Sequence, residues 1–228
     1  MKTTIIAVGN GGYNLASDII KANIFPDSNF IVCDTEEKSL ERNKTNADKT
    51  FLLNEFRGKV KASMIEVVDE IVAVSSESVI ICATYGGYTG SKYAPLIALN
   101  AILKGKFVCS LIALDFNFEG DKHNQRSSNA RMQTIAASNL VIQQNNDRLK
   151  EIGTLGLGDM NKPIVDTTAS VLQNHTLKEL SLWVGSESIQ DLIPAEYRIP
   201  DIPLLWLRSD SYRGIEYEER INVFNLYS

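Results

Sequence analysis

The chain has 228 residues, 44% of them hydrophobic and 22% charged, with a formal net charge of −5. That length suits one large α/β domain or a domain with an appendage, and it supports a core without disulfide or metal staples. Gly 14 and Pro 6 are too few for a fibrous or disordered chain. The acidic balance argues against nucleic acid or an anionic membrane as a partner. Cys33, Cys82 and Cys109 each sit inside an apolar run, as small buried hydrophobes in a reducing compartment do. No apolar run approaches the ~18 residues of a membrane span, and the N-terminus lacks a signal-peptide core. A cytoplasmic protein is expected.

In chain order, residues 4–8 (TIIAV) form a continuous apolar run closed by glycines, and reads as a first strand. Residues 13–22 place Leu15, Ile19, Ile20 and Ala22 near one helical stripe. Residues 30–33 read as a second buried strand and 51–53 as a short third. Met64, Val67, Val68, Ile71 and Val74 recur at helical spacing, which predicts an amphipathic helix over 60–74. A strand at 79–84, a helix at 95–104, a strand at 107–114, a helix at 124–137 and a short strand at 140–143 continue the alternation. Strands apolar on both faces, separated by helices, predict a doubly wound parallel α/β sheet, Rossmann-like in type. Residues 151–159 read as a loop, and 165–180 as a long helix capped by Asp166 or Thr167. Pro194, Pro200 and Pro203 preclude a long helix in the tail. There, edge strands near 204–207 and 220–226 are expected, or a strap across the domain. The apolar tail residues Trp183, Ile202, Leu204, Leu205 and Trp206 read as a cover for the sheet edge, with a partner surface as the alternative.

Ligands of open parallel sheets sit beyond the carboxyl ends of the strands, so the loops there carry the chemistry. The first, Gly9-Asn10-Gly11-Gly12-Tyr13-Asn14, offers bare backbone and a helix N-terminus to a phosphate; its plain alternative is a tight turn. The second, residues 84–92 (TYGGYTGSK), follows another strand and supplies amides and hydroxyls, although it is not a P-loop. Two such loops predict a polyphosphate gripped from two sides. The third, residues 115–123 (DFNFEGDKH), holds carboxylates suited to ribose hydroxyls, or simply a helix capped by Asp121. The fourth, residues 144–149 (QNNDRL), holds an Asn suited to a purine edge, or a helix cap.

These four segments, GNGGYN, ATYGGYTGSKYAP, FNFEGDKH and NNDRL, resemble the FtsZ/tubulin family of polymer-forming GTPases. The corresponding FtsZ strings are G-x-G-G-x-x-x-N, A-G-M-G-G-G-T-G-T-G-x-A-P, F-x-F-E-G-x-x-R and P-N-D-x-L. Order and spacing agree from residue 3 to about residue 152, and Asp34-Thr35-Glu36 is similar to the family's Asn-Thr-Asp. The resemblance implies GTP or GDP as ligand, with Mg²⁺ as a possible companion of the phosphates. It makes Gly11, Gly12 and Asn14 part of the first phosphate loop and Gly86, Gly87, Thr89 and Gly90 the signature loop. Glu119 then holds the ribose and Asn146 reads the guanine edge, with further base contacts near 165–170. It implies self-association or an FtsZ-like partner. The domains expected are 1–185, nucleotide-binding with the central helix, and 186–228, an extension standing where the family has its second domain.

Departures accompany the likeness. Tyr88 replaces a glycine of the signature loop, Lys92 a small residue, and His123 the Arg after the ribose Glu. The family's acidic loop, N-x-D-x-x-D/E, which a neighbouring subunit inserts to orient the attacking water, has no match in the sequence. Weak or absent hydrolysis by this chain alone is therefore expected, and no residue is assigned a catalytic role. Two other readings compete. A Rossmann-type dinucleotide-binding oxidoreductase would use Gly9-x-Gly11 and Asp34, though Asn14 stands where its third glycine belongs. A non-catalytic assembly partner would keep a degenerate, empty pocket. With His123 and His175 the only histidines and no metal-type spacing, no metal site is expected.

Overall fold

The computed structural model describes residues 2–55, 60–152, 157–173, 191–197 and 204–207. Its seven strands are β1 (Thr3–Val8), β2 (Asn29–Asp34), β3 (Lys49–Leu52), β4 (Ser78–Thr84), β5 (Phe107–Leu114), β6 (Leu140–Asn145) and β7 (Leu204–Leu207). They lie in the order β3-β2-β1-β4-β5-β6-β7. The first six are parallel, with Ile6 opposite Ile31 on one side and Ile81 on the other. β7 closes the β6 edge antiparallel, Trp206 opposite Val141. The helices are α1 (Gly9–Lys21), α2 (Glu37–Asn43), α3 (Ala62–Val74), α4 (Tyr88–Leu103), α5 (Asp121–Ala136) and α6 (Lys162–Leu172). This is the doubly wound parallel sheet expected from the alternation.

Side chains alternate across a strand, so each one feeds two cores. Ile6, Val8, Val79, Ile81 and Ala83 enter one core with Met64, Val68 and Ile71 of α3, Ile97 of α4 and Ala130 of α5. Ile5, Ala7, Ile80 and Cys82 enter the other with Leu15 and Ile19 of α1 and Ile164 and Val171 of α6. The three cysteines are buried and unbridged, and burial pushes their thiols up.

Several boundaries differ from the sequence expectation. α1 begins at Gly9 rather than 13, and α4 at Tyr88 rather than 95, with Pro95 inside the helix. α2 buries only Ser39, Leu40 and Asn43, which leaves no apolar period to read. Asp121 is the first residue of α5 behind Gly120 (φ 99°), not its cap, and Asn161 rather than Asp166 or Thr167 precedes α6. The 151–159 segment carries short 3-10 turns at its ends, Asn146–Ile152 and Leu157–Asp159. The edge strand at 204–207 is present. Trp183, Ile202, the helical expectation beyond 173 and the strand at 220–226 lie outside the described residues.

Candidate functional site

From β1 the chain steps outward to β2 and β3, then crosses back to β4 on the other side of β1. The crevice at such a reversal is where doubly wound sheets bind ligands. The two glycine-rich segments flank it. α1 starts directly after β1, and three residues separate β4 from α4. Neither helix has a side-chain cap or an acidic residue in its first turn. Their leading N–H groups, together with the positive ends of two helix dipoles, favour an anion there. A Cβ at Gly9 (φ +76°) would stand 3.3 Å from Thr89 Cβ and 3.5 Å from the Gly90 nitrogen, so the two N-termini abut.

The glycines divide by what their missing side chains face. At Gly11 a Cβ would collide with the Thr84 side chain, at Gly12 with the Cys82 carbonyl, and at Gly90 with the Thr84 carbonyl. These three let α1 and α4 press against β4. Gly86 (φ +96°) has the Asp115 carboxyl 2.6 Å from where its Cβ would be. Gly87 alone of the five faces open space within 4 Å. Asn14 is exposed on α1.

The signature loop is pinned from several sides. The buried Ser91 hydroxyl accepts the Gly86 N–H at 3.0 Å, and Arg126 Nη1 donates to the Gly86 carbonyl at 2.7 Å. The Tyr85 hydroxyl is hydrogen-bonded to Thr134 Oγ1. Thr89 Oγ1 lies 2.7 Å from Thr35 Oγ1 and donates to Asp34 Oδ1 at 3.4 Å, tying the end of β2 to α4. Asp34 also accepts the Glu36 N–H at 3.2 Å and is only 5% exposed; burial raises its pKa. Lys92 and Arg126 line a cleft of about 270 Å³ between α4 and α5, with Lys122, Gln125 and Asn129. Burial, then Arg126, lowers the Lys92 pKa.

The third and fourth loops meet at the ends of β5 and β6. The Asn117 N–H donates to both Asp147 carboxylate oxygens at 3.0 and 3.1 Å. Asn145 Oδ1 accepts the Asp147 N–H at 3.1 Å. Gln144 Nε2 donates to Asn146 Oδ1 at 3.0 Å and to the Met160 carbonyl at 2.9 Å, which orients the Asn146 amide. Glu119 Oε1 accepts the Phe116 N–H at 3.1 Å. All the site residues expected from sequence therefore stand at the carboxyl end of the sheet or on the helices that start there, Asn14 one turn along α1.

Sequence reasoning missed two features. Asp115, Glu119 and His123 converge, which no spacing rule built on His and Cys detects. At the start of α6, Asn161 and Asp166 occupy the first and last places of N-x-D-x-x-D/E, with Pro163 at the middle Asp. A search for the complete string passes over it. Asp166 accepts from Lys162 Nζ at 2.5 Å and the Tyr197 hydroxyl at 2.7 Å, and Asn161 Nδ2 donates to Asp18 at 2.8 Å.

Comparison with known proteins places this geometry. The profile described as Tubulin/FtsZ family, GTPase domain, matches residues 2–154. Cell division protein FtsZ of Mycoplasmopsis pulmonis is 28% identical over 193 residues, 78% of this chain and 46% of that protein. FtsZ of Rickettsia felis is 30% identical over 157 residues, 64% of this chain and 32% of that protein. The chain thus spans half or less of the length of these relatives. Among solved structures, the FtsZ W319Y mutant of M. jannaschii superposes with a TM-score of 0.62 at 19% identity, covering 77% of this chain and 58% of that one. GDP-bound CetZ1 of Haloferax volcanii gives 0.60 at 17%, covering 85% and 64%. The oxidoreductase reading is overturned. Asp34, its ribose acceptor, is buried and bound to Thr89 and Glu36, and the second glycine loop has no place in a dinucleotide site. Sheet, crevice and profile agree: the chain belongs to the Tubulin/FtsZ family and carries its GTPase domain.

Proposed function

We propose that this chain binds GTP or GDP in the crevice between β1 and β4 and assembles with copies of itself or with an FtsZ-like relative in the cytoplasm. The observation that carries the reading is the pair of uncapped helix N-termini abutting at the point where the strand order reverses. Amides of α1 around Gly11 and Gly12 face one end of the phosphate chain. Gly87, Thr89 and Gly90 face the other, with Gly86 shaping the turn. In this reading Glu119 contacts the ribose, and Asn146, held by Gln144, presents its remaining amide group to the guanine edge. Asn14 adds a polar contact from α1, and Mg²⁺ accompanies the phosphates. Nucleic acid and membrane are not partners in this reading, in line with the net charge of −5 and with the absence of any helix long and apolar enough to cross a membrane among the described residues.

Hydrolysis by the chain alone is weak or absent. Pro163 takes the place of an acid, and Asp166 is already paired with Lys162 and Tyr197. Positioned charge supplies most of phosphoryl-transfer catalysis, so a missing carboxylate removes much of it. A second reading, a non-catalytic assembly partner with an empty pocket, is favoured by the prior engagement of the Gly86 N–H and the Thr89 hydroxyl.

Calorimetric titration of GTP, GDP and ATP into nucleotide-free protein separates the readings. The proposal expects saturable binding of both guanine nucleotides and at least about tenfold weaker ATP, a difference of roughly 1.4 kcal/mol. No heat with GTP and no displacement of a fluorescent guanine nucleotide would leave the empty-pocket reading in its place.

A further inference from the structure

Asp115 directly follows β5, Glu119 closes a 3-10 turn, and His123 lies in the first turn of α5. One ligand atom from each lies within 4.8 Å of the others. Gly120, at φ 99°, makes the turn that brings Glu119 back beside His123. The Phe116 N–H holds Glu119 Oε1 at 3.1 Å, which leaves Oε2 facing His123 Nδ1 at 3.5 Å. Asp115 is wedged from the other side by the bare backbone of Gly86. Asp115 Oδ2 and His123 Nδ1 are both buried atoms without a hydrogen-bond partner of acceptable geometry.

An ordinary i,i+4 pair between Glu119 and His123 accounts for only part of this. Their side chains are 35% and 42% exposed, and such a pair stabilises little. It leaves Asp115 Oδ2 shut away from water with only the Ser127 hydroxyl, poorly aligned, beside it. A cation between the three groups serves that buried oxygen and both carboxylates at once.

We propose that Asp115, Glu119 and His123 form a divalent transition-metal site of the zinc class, with one coordination position left open. One imidazole nitrogen and two carboxylate oxygens are a donor set that zinc accepts, and three protein ligands leave the fourth place for water or another ligand. Bonds of about 2.0–2.2 Å in a tetrahedron place donors about 3.3 Å apart. His123 and Glu119 already stand near that separation, so the remaining closure falls to Asp115. The backbone bond on Glu119 is the outer-shell support that metal ligands commonly have. The ion would restore positive charge at the position where the FtsZ string has Arg and this chain has His123. The site shares Glu119 with the nucleotide reading but requires no nucleotide, and it goes beyond that reading.

The test uses the full chain, stripped of metal by chelator and of nucleotide, titrated with Zn²⁺ by calorimetry and with Co²⁺ by visible absorption. One saturable equivalent and Co²⁺ bands of low-symmetry coordination are expected. H123Q and D115N should each weaken binding by at least about tenfold, with E119Q as the substitute if either loses its native circular dichroism. H175Q, which changes the other histidine, should bind as the parent does. Absence of saturable binding overturns the proposal, as does parental affinity in folded H123Q or loss of the site in H175Q. No nucleotide is present, so failure to bind GTP would leave this result unaffected.

Discussion

Gly12→Ala isolates the packing role of the first glycine loop from any role in phosphate binding. Gly12 is buried on α1, and its added methyl would strike the Cys82 carbonyl oxygen, with the Cys82 carbonyl carbon at 3.2 Å and Ala83 Cα at 3.3 Å. All three atoms are β4 backbone in the centre of the sheet, so no rotamer change relieves the clash. α1 must lift from β4, loosening Leu15, Ala16 and Ile19 from their core. Overpacking of this kind costs about 1–3 kcal/mol. For a chain of this size that lowers the melting temperature by roughly 2–12 °C. Gly87→Ala is the matched control. Its methyl meets nothing within 4 Å and its φ is −65°, so only the slight loss of a glycine N-cap is felt and its melting temperature should fall by no more than about 2 °C. The same methyl would project into the space offered to a phosphate, so guanine-nucleotide affinity should fall by about tenfold or more, roughly 1.4 kcal/mol. Thermal melts and nucleotide titrations on both variants decide the matter. If Gly12→Ala melts with the parent, the assignment of Gly12 to helix–strand packing is wrong. A Gly87→Ala that binds nucleotide undiminished removes Gly87 from the pocket.

Three further outcomes follow from individual groups. Asp34→Asn keeps an oxygen acceptor for the Glu36 N–H and Thr89 but removes a charge that burial disfavours. Because the folded-state pKa is raised, the stability linked to the protonated acid is present below the unfolded value of about 3.9 and lost as pH rises through the folded pKa. The variant should therefore exceed the parent in unfolding free energy at pH 7 and lose that advantage toward pH 4; a pH-independent difference in urea melts contradicts this. Ser91→Ala deprives the buried Gly86 N–H of its acceptor and should cost about 1–3 kcal/mol in the same melts, an unchanged midpoint counting against the pinning of the loop. Pro163→Asp completes the acidic string at the start of α6, where an early helical acid also suits the dipole. Phosphate release from assembled protein should rise at least about tenfold, and an unchanged rate would show that hydrolysis is limited elsewhere.

Legibility followed the physics of each element. Strands β1, β2, β4, β5 and β6 bury both faces, so their apolar runs are unbroken and readable. The edge strand at 204–207 was readable because its apolar run follows directly on Pro203. The starts of α1 and α4 were not, since glycines and Pro95 lower helix propensity and tertiary packing overrides it. Gly12 and Gly90 are helical because only a residue without Cβ can sit so close to Cys82 and Thr84. The site loops were found by their place after strands, but their internal bonding was hidden. Nothing in the string TYGGYTGSK says that Ser91 holds Gly86 or that Thr89 reaches back to Asp34. The trio at Asp115 was invisible for a related reason: its geometry depends on one positive-φ glycine, Gly120, and on a neighbouring strand end.

The division among glycines bears on how much a motif can prove. Gly11, Gly12 and Gly90 are required by the contacts of α1 and α4 with β4 whether or not a nucleotide ever enters. Their presence therefore speaks for the scaffold, and only Gly87 and the uncapped amides speak for the ligand. The departures fall elsewhere. Tyr88 is partly exposed at the first position of α4, His123 is half-exposed in α5, and Pro163 opens α6. None of these three exchanges disturbs the contacts that set the crevice, whereas each changes charge or shape where the resemblance places phosphate or the activating loop. Under the proposed function, a chain altered at the positions of chemistry but intact at those of packing keeps the crevice for a nucleotide. It has less means to hydrolyse one. That asymmetry favours assembly with weak turnover over both a fully active GTPase and a scaffold decayed throughout.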